Sequence, residues 1–297
     1  ADINPFFGLM FTNPLSDLTD RDSTGELDYR ADASALEENP LYVVENSTLE
    51  QDRSRFLGNI RAEYSPLSWL TFEGTLSYDR ADRDLSEFYD KGFETIDASP
   101  RNNGQTQQTN ILEEALNADL TAAIQGETGE WTGRGQIKWQ TEETRYEEVF
   151  VEGSGFAASA IPDFGNVSGS KFIDSFQETI RSESFYVTGS GDYGDRYILD
   201  LLVRRDGSSL FGEQERWQTY YRAAGAYRVS EEAFWDPLSD VVSNFKLRYS
   251  YGTAGGRPVF SAQYETFDVE SGNLSKATLG NDELKPELQT EQEYGVE

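Results

Sequence analysis

The chain has 297 residues, with 54 Asp and Glu against 25 Lys and Arg, a net charge of −29, and neither histidine nor cysteine. These counts exclude a basic nucleic-acid face, a disulfide scaffold, and any zinc or nucleophilic site built on imidazole or thiolate. No run of about 18 apolar residues offers a membrane helix, and an aromatic content of 13% argues against disorder.

The opening ADINPFFGLM lacks a leader pattern, and the closing QTEQEYGVE stops inside an alternating stretch. The chain therefore reads as a slice of a longer protein.

Period-two alternation begins at Phe56–Tyr64. Phe56, Gly58, Ile60, Ala62 and Tyr64 share one face, with Leu57, Asn59, Arg61 and Glu63 on the other. After a break at Ser65–Trp69 the pattern resumes. Leu70, Phe72, Gly74, Leu76 and Tyr78 now face away from Thr71, Glu73, Thr75, Ser77 and Asp79. Side chains alternate across a strand, so this predicts a hairpin with one apolar and one polar face.

A second hairpin follows from Leu112–Ile124 and Gly133–Trp139, with a turn near Gly126–Glu130. Phe185–Gly191 and Tyr197–Val203 form a third, turning at Tyr193–Arg196. The fourth joins Trp217–Val229 to Phe245–Tyr251 through Ser230–Val242, which can hold a turn of helix. A ninth strand starts near Thr290. Leu57, Ile198 and Leu202 break the pattern on the polar face, and Glu114 breaks it on the apolar one.

Turns inside the hairpins are short. Long loops are expected between them, at 83–108, 144–182, 206–216 and 253–288. Loops this long are uncommon in compact domains, and here all would leave one end of the sheet. Strands near the length that crosses an apolar band, with Tyr64, Trp69, Trp131, Tyr193, Tyr197 and Trp235 at one end and Tyr78, Trp139 and Trp217 at the other, fit a membrane barrel with aromatic girdles. A soluble β-sandwich shares the alternation but not the one-sided loops.

Several segments resemble the SusC/RagA family of TonB-dependent outer-membrane transporters. Asn39-Pro40-Leu41-Tyr42 and Asp52–Asn59 resemble its Asn-Pro-aromatic segment and the strand after it. Asp195–Leu199 and Arg204–Gly212 (RRDGSSLFG) give the most specific similarity, although the family usually has a basic residue close to Leu210. Ala224–Glu232 (AGAYRVSEE), Phe245–Gly252 (FKLRYSYG) and Gly280–Glu287 (GNDELKPE) follow in family order. The resemblance implies an all-β fold: an antiparallel up-and-down transmembrane β-barrel, incomplete, about nine strands of a barrel of about 22. Residues 1–297 would all belong to the barrel domain, with the plug domain and remaining strands elsewhere.

The same resemblance implies a function without covalent chemistry or cofactor. A nutrient, oligosaccharide first and peptide next, would be imported across the outer membrane of a Gram-negative bacterium. The TonB complex would drive it through the plug, and a SusD-like lipoprotein would assist. Alternatives are a siderophore or cobalamin receptor and a soluble secreted carbohydrate-binding sandwich. An enzyme would need a close carboxylate pair, which the sequence does not single out.

Other motifs are weaker. Gly189–Gly194 matches G-x-G-x-x-G and Gly153–Ala158 its Gly-to-Ala form, but neither opens a helical pattern, so both are expected to be turns. Glu142, Glu143, Glu147, Glu148 and Glu152, and Asp82, Asp84, Glu87 and Asp90, are expected to crowd two loops. They lack the spacing of a calcium site. Arg61, Arg134, Lys138, Arg204, Arg222, Arg228, Lys246 and Arg248 share the polar faces, where cross-strand pairing competes with solute or plug contacts. Phe88, Tyr89, Phe93, Phe150, Phe156, Phe164, Phe172 and Tyr264 could stack on sugars or pack the loops. No catalytic, cofactor-binding or metal residue is assigned, and the substrate-binding residues are unknown.

Overall fold

A computed structural model describes residues 5–212, 215–256, 260–270, 272–281 and 284–297. Nine strands form one antiparallel sheet in chain order: β1 (Ser47–Leu67), β2 (Leu70–Lys91), β3 (Asn103–Thr128), β4 (Trp131–Ser154), β5 (Lys171–Tyr193), β6 (Tyr197–Ser208), β7 (Trp217–Arg228), β8 (Lys246–Gly255) and β11 (Leu288–Val296). Before β11, β9 (Thr266–Glu270) and β10 (Asn273–Thr278) pair as a separate hairpin. Helices α1 (Pro5–Phe11) and α2 (Pro40–Asn46) precede the sheet. The helical turns expected after β7 lie at Val229–Glu231 and Ala233–Leu238.

The hairpin positions agree with the alternation, but the first five strands are far longer than it indicates. They run 21 to 26 residues, whereas β6, β7, β8 and β11 run 9 to 12. Much of the expected loops 83–108 and 144–182 is therefore strand, leaving connections at 92–102 and 155–170. These stretches lack one continuous apolar face: their buried positions mix apolar Ala81 and Tyr89 with polar Gln105 and Thr106. The period vanishes while the backbone hydrogen bonds continue.

The short turns have a local cause. Gly129 (φ 61°) and Gly194 (φ 59°) take the left-handed backbone that tight hairpins require. Gly189–Gly194 thus ends β5 and enters a turn, and Gly153–Ala158 ends β4 and enters a loop. Neither opens a helix.

The chain divides into two compact units, and β1–β5 contribute to both. One comprises residues 1–55, 80–113 and 146–177. Its core is Leu27, Tyr42, Tyr89 and Phe93, with Tyr29 and Val43 against them. Buried Asn39 caps α2: its Oδ1 accepts from Leu41 N at 3.0 Å, and Pro40 sits where a missing N–H costs nothing. Asn39 Nδ2 donates to Leu18 O and Asp28 O, each at 2.9 Å. The Tyr42 hydroxyl accepts from Glu94 N at 2.7 Å. The Asn-Pro-aromatic segment is therefore the clasp of this unit.

The second unit comprises residues 56–79, 114–145 and 178–297 and holds the two-faced part of the sheet. Registers such as Val187↔Val203, Val203↔Tyr221 and Tyr227↔Leu247 keep apolar residues on one face. That face is not roofed. Ile60, Leu120, Ile137 and Leu199 are 72%, 59%, 62% and 52% exposed. A sandwich would bury them between sheets.

Candidate functional site

The site is a wall with two unlike faces. Along its short-turn edge the apolar face carries an aromatic series: Trp131–Tyr193 at 4.7 Å, Tyr193–Tyr197 at 6.4 Å and Tyr197–Tyr227 at 5.0 Å between ring centroids. The hydroxyl ends meet polar partners. Tyr197 donates to Glu232 Oε1 at 2.7 Å, Tyr227 does so at 3.2 Å, and Arg196 lies 3.5 Å from the same carboxylate. Toward the other edge stand Phe56–Tyr78 and Phe185–Trp217, at 6.3 and 6.0 Å. Rings with a wet end suit both borders of an apolar slab.

Above the upper rings the same face turns polar. Trp139 Nε1 donates to Glu183 at 2.6 Å and Arg181 meets Glu143 at 2.7 Å. Glu114, the misfit of the apolar pattern, accepts from the Tyr78 hydroxyl at 2.6 Å and lies 3.8 Å from Arg145. It marks the border of the belt.

On the polar face cross-strand pairing takes most of the basic residues. Arg61 meets Glu73 at 2.8 Å, Lys138 meets Asp119 at 3.0 Å, and Lys246 meets Glu297 at 3.0 Å. Arg248 reaches Glu293 and Glu297, each at 3.3 Å. Arg204 meets Asp206 at 2.6 Å on its own strand and lies over the Tyr186 ring, while Arg228 donates to Asp195 O. Arg134 and Arg222 differ. Among the described residues neither has a carboxylate at ion-pair distance. Both line a concavity of about 480 Å³ with Thr71, Gln136, Ser190 and Asp200. Its hydroxyls, amide and unlike charges would accept a hydrated polar solute.

The two acidic groups lie on strands β4 and β2, not in loops, so their members alternate between faces. Gln107 binds Glu152 at 2.7 Å, Tyr146 donates to Glu148, and Asn110 donates to Asp84. Asp90 accepts from Ala160 N at 2.8 Å. Among the described residues no three carboxylates converge as metal ligands.

Most of the candidate stacking aromatics pack against other rings, while Phe172 and Tyr264 stay about half exposed. Tyr89 and Phe93 are buried, Phe88 stacks on Phe156 at 5.6 Å, and Phe150 meets Phe172 at 6.0 Å. Within GNDELKPE, Asp282 and Glu283 lie outside the described residues. Basic residues of the apolar side escaped the sequence reading, Arg145, Arg181 and Arg205 among them. Arg205, next to Arg204, falls on the apolar face opposite Phe185 and Thr219. Counting by twos from Leu199 would have placed it there.

A model of the TonB dependent receptor-like β-barrel matches residues 3–297. The chain belongs to the TonB-dependent receptor β-barrel family. This is a family of outer-membrane barrels. TonB-dependent receptor P26 of Formosa agariphila is 28% identical over 233 residues, which is 74% of this chain and 22% of that protein. TonB-dependent receptor SusC of Bacteroides thetaiotaomicron is 36% identical over 61 residues, 20% of this chain and 6% of its own length. The solved RagAB peptide transporter superposes with a TM-score of 0.78 at 17% identity, over 92% of this chain and 31% of that one. The likeness in fold is thus extensive, and the TonB-dependent receptor chain described here spans about a fifth of P26. These relatives are named as receptors and transporters, not as enzymes.

Proposed function

We propose that this chain forms part of the wall of an outer-membrane importer that takes up a nutrient, oligosaccharide or peptide, by TonB-driven transport. The observation that carries this reading is the uncovered apolar face backed by a face of paired charges and an open polar concavity. Lipid covers the first face, and water and solute meet the second. In this reading the short turns face the periplasm and the tall strands β2–β5 stand outside.

The plug and the remaining strands lie elsewhere in the polypeptide, since nine strands leave two edges that lipid cannot satisfy. TonB acts through the plug. A SusD-like surface lipoprotein helps to capture the substrate, as the likeness to SusC and the RagAB transporter suggests. No cofactor takes part.

The test uses the complete reading frame in a Gram-negative host. Deletion should abolish growth on an oligosaccharide or peptide mixture as sole nutrient, and removing TonB should give the same loss. Growth unaffected by either deletion would refute the proposal. The double variant Arg134→Gln, Arg222→Gln should slow uptake while leaving the amount of barrel in the outer membrane unchanged.

A further inference from the structure

The upper border of the apolar face holds a group of donors without acceptors. Three strands supply it in register. Phe185, Arg205 and Thr219 lie side by side on β5, β6 and β7, and the next row toward the short turns is Val187, Val203 and Tyr221. In the row above, Trp217 faces Gly207 and lays its ring over that glycine, where a Cβ would come within 2.9 Å of the indole. The Arg205 guanidinium lies 5.7 Å from the Trp217 ring centroid.

Among the described residues no carboxylate pairs with Arg205, and neither the Trp217 indole N–H nor the Thr219 hydroxyl has a hydrogen-bond acceptor. The nearest acid on this face by register, Glu183, is held by Trp139. Other arginines of the same face are neutralised: Arg181 by Glu143 and Arg145 by Glu114. In a chain of net charge −29, an exposed guanidinium on this face without a carboxylate partner is open to an anion from outside.

Depth identifies the anion. From the Tyr197↔Tyr227 row to the Arg205↔Thr219 row is eight residues. That is about 27 Å along the strand and about 20 Å along the membrane normal at a tilt of about 40°. The apolar band of such barrels is about 25 Å tall, so this row lies about 5 Å inside its far border, a gap that an extended arginine side chain spans to reach the headgroups.

We propose that Arg205, Trp217 and Thr219 bind the phosphate of an anionic lipid headgroup in the outer leaflet. The inference rests on the proposed placement of the apolar face in lipid. The guanidinium supplies charge and a planar pair of donors, the indole and hydroxyl complete the shell, and Phe185 and Val203 meet the acyl chain.

The test is native mass spectrometry of the full-length protein, released from detergent. Three probes are compared: dioctanoyl phosphatidic acid, dioctanoylglycerol and inorganic phosphate. The wild type should retain the phosphatidic acid about tenfold over the diacylglycerol, the scale of a charge-assisted contact. Arg205→Gln should bring the ratio to parity, and Arg205→Lys should restore part of it. Thr219→Val should lower it about threefold, which keeps the test open if the arginine variant misfolds. Arg181→Gln should leave it unchanged.

A preference that survives Arg205→Gln overturns the proposal, as does an equal loss in Arg181→Gln or displacement of the lipid by equimolar inorganic phosphate. A protein that stays soluble without detergent would sink the membrane placement itself, a different failure.

Discussion

Ile137→Arg puts a charge in the middle of the apolar face, and Gly133→Arg puts the same charge on the same strand four residues nearer its start. Ile137 lies six residues from Trp131, where β4 begins. This is about 20 Å along the strand and about 15 Å along the normal at a tilt of about 40°, near the centre of a band about 25 Å tall. Ile137 is 62% exposed, and a Cβ at Gly133 meets only Ser190 O at 3.9 Å, so neither substitution collides with protein. Both place a guanidinium on the same face, at different depths. Arg at the midplane costs about 2–4 kcal/mol, and near the interface about 0–1 kcal/mol. At tenfold per 1.4 kcal/mol, the midplane variant should lose about 30- to 700-fold in its folding equilibrium into vesicles. Urea titration of the full-length protein in phosphatidylcholine vesicles, followed by heat-modifiable gel mobility, reads this directly. Equal effects of the two variants, or none from Ile137→Arg, would refute the claim that this face meets hydrocarbon.

Three further outcomes test other parts of the molecule. Asn39→Ala removes a helix cap and leaves the carbonyls of Leu18 and Asp28 without their donor. Local stability over residues 18–42 should drop by about 1–3 kcal/mol in hydrogen exchange, with little change in β6–β8. Gly104 has φ +84°, and a Cβ there would come within 2.2 Å of Phe156. Gly104→Ala should release the 155–170 loop, and limited proteolysis should cut it first. Asp32 accepts from Ser16 and Ser34 side chains, and these bonds hold its carboxyl below the usual value of 3.8. A depressed folded value gives stability that is present above the unfolded value and lost as pH falls through the folded one. Wild type and Asp32→Asn should therefore differ fully in amide protection at residues 32–35 above pH 3.8 and converge as the pH falls through the lower folded value. A difference that persisted in acid would refute that linkage.

The hairpins of the belt are legible in the sequence because one face must be apolar there, as in Phe56–Tyr64 and Tyr197–Val203. The outer stretches of β2–β5 are not, since segments such as Arg80–Asp84 and Glu142–Glu148 carry charged side chains at both odd and even positions and so have no apolar face. The ladder that orders them is a backbone property without a side-chain period. Helix α2 escaped the periodic reading because seven residues give no pattern, although Asn39-Pro40 marks its start. Most of the polar-face cations pair as their charges and positions suggest. The exceptions, Arg134 and Arg222, show only when the register is known. Arg205 was within reach of the sequence, one step from Arg204.

In the proposed placement, the unequal strands set what a passing phage or antibody meets. Residues 80–91, 103–113 and 146–154 are not slack peptide but rungs bonded sideways to their neighbours. Sera raised against linear peptides from these stretches should recognise the heated protein and miss the native one, since the living cell would display relief instead of sequence. Variation that evades such recognition can accumulate at 92–102 and 155–170, where a change of length breaks no rung.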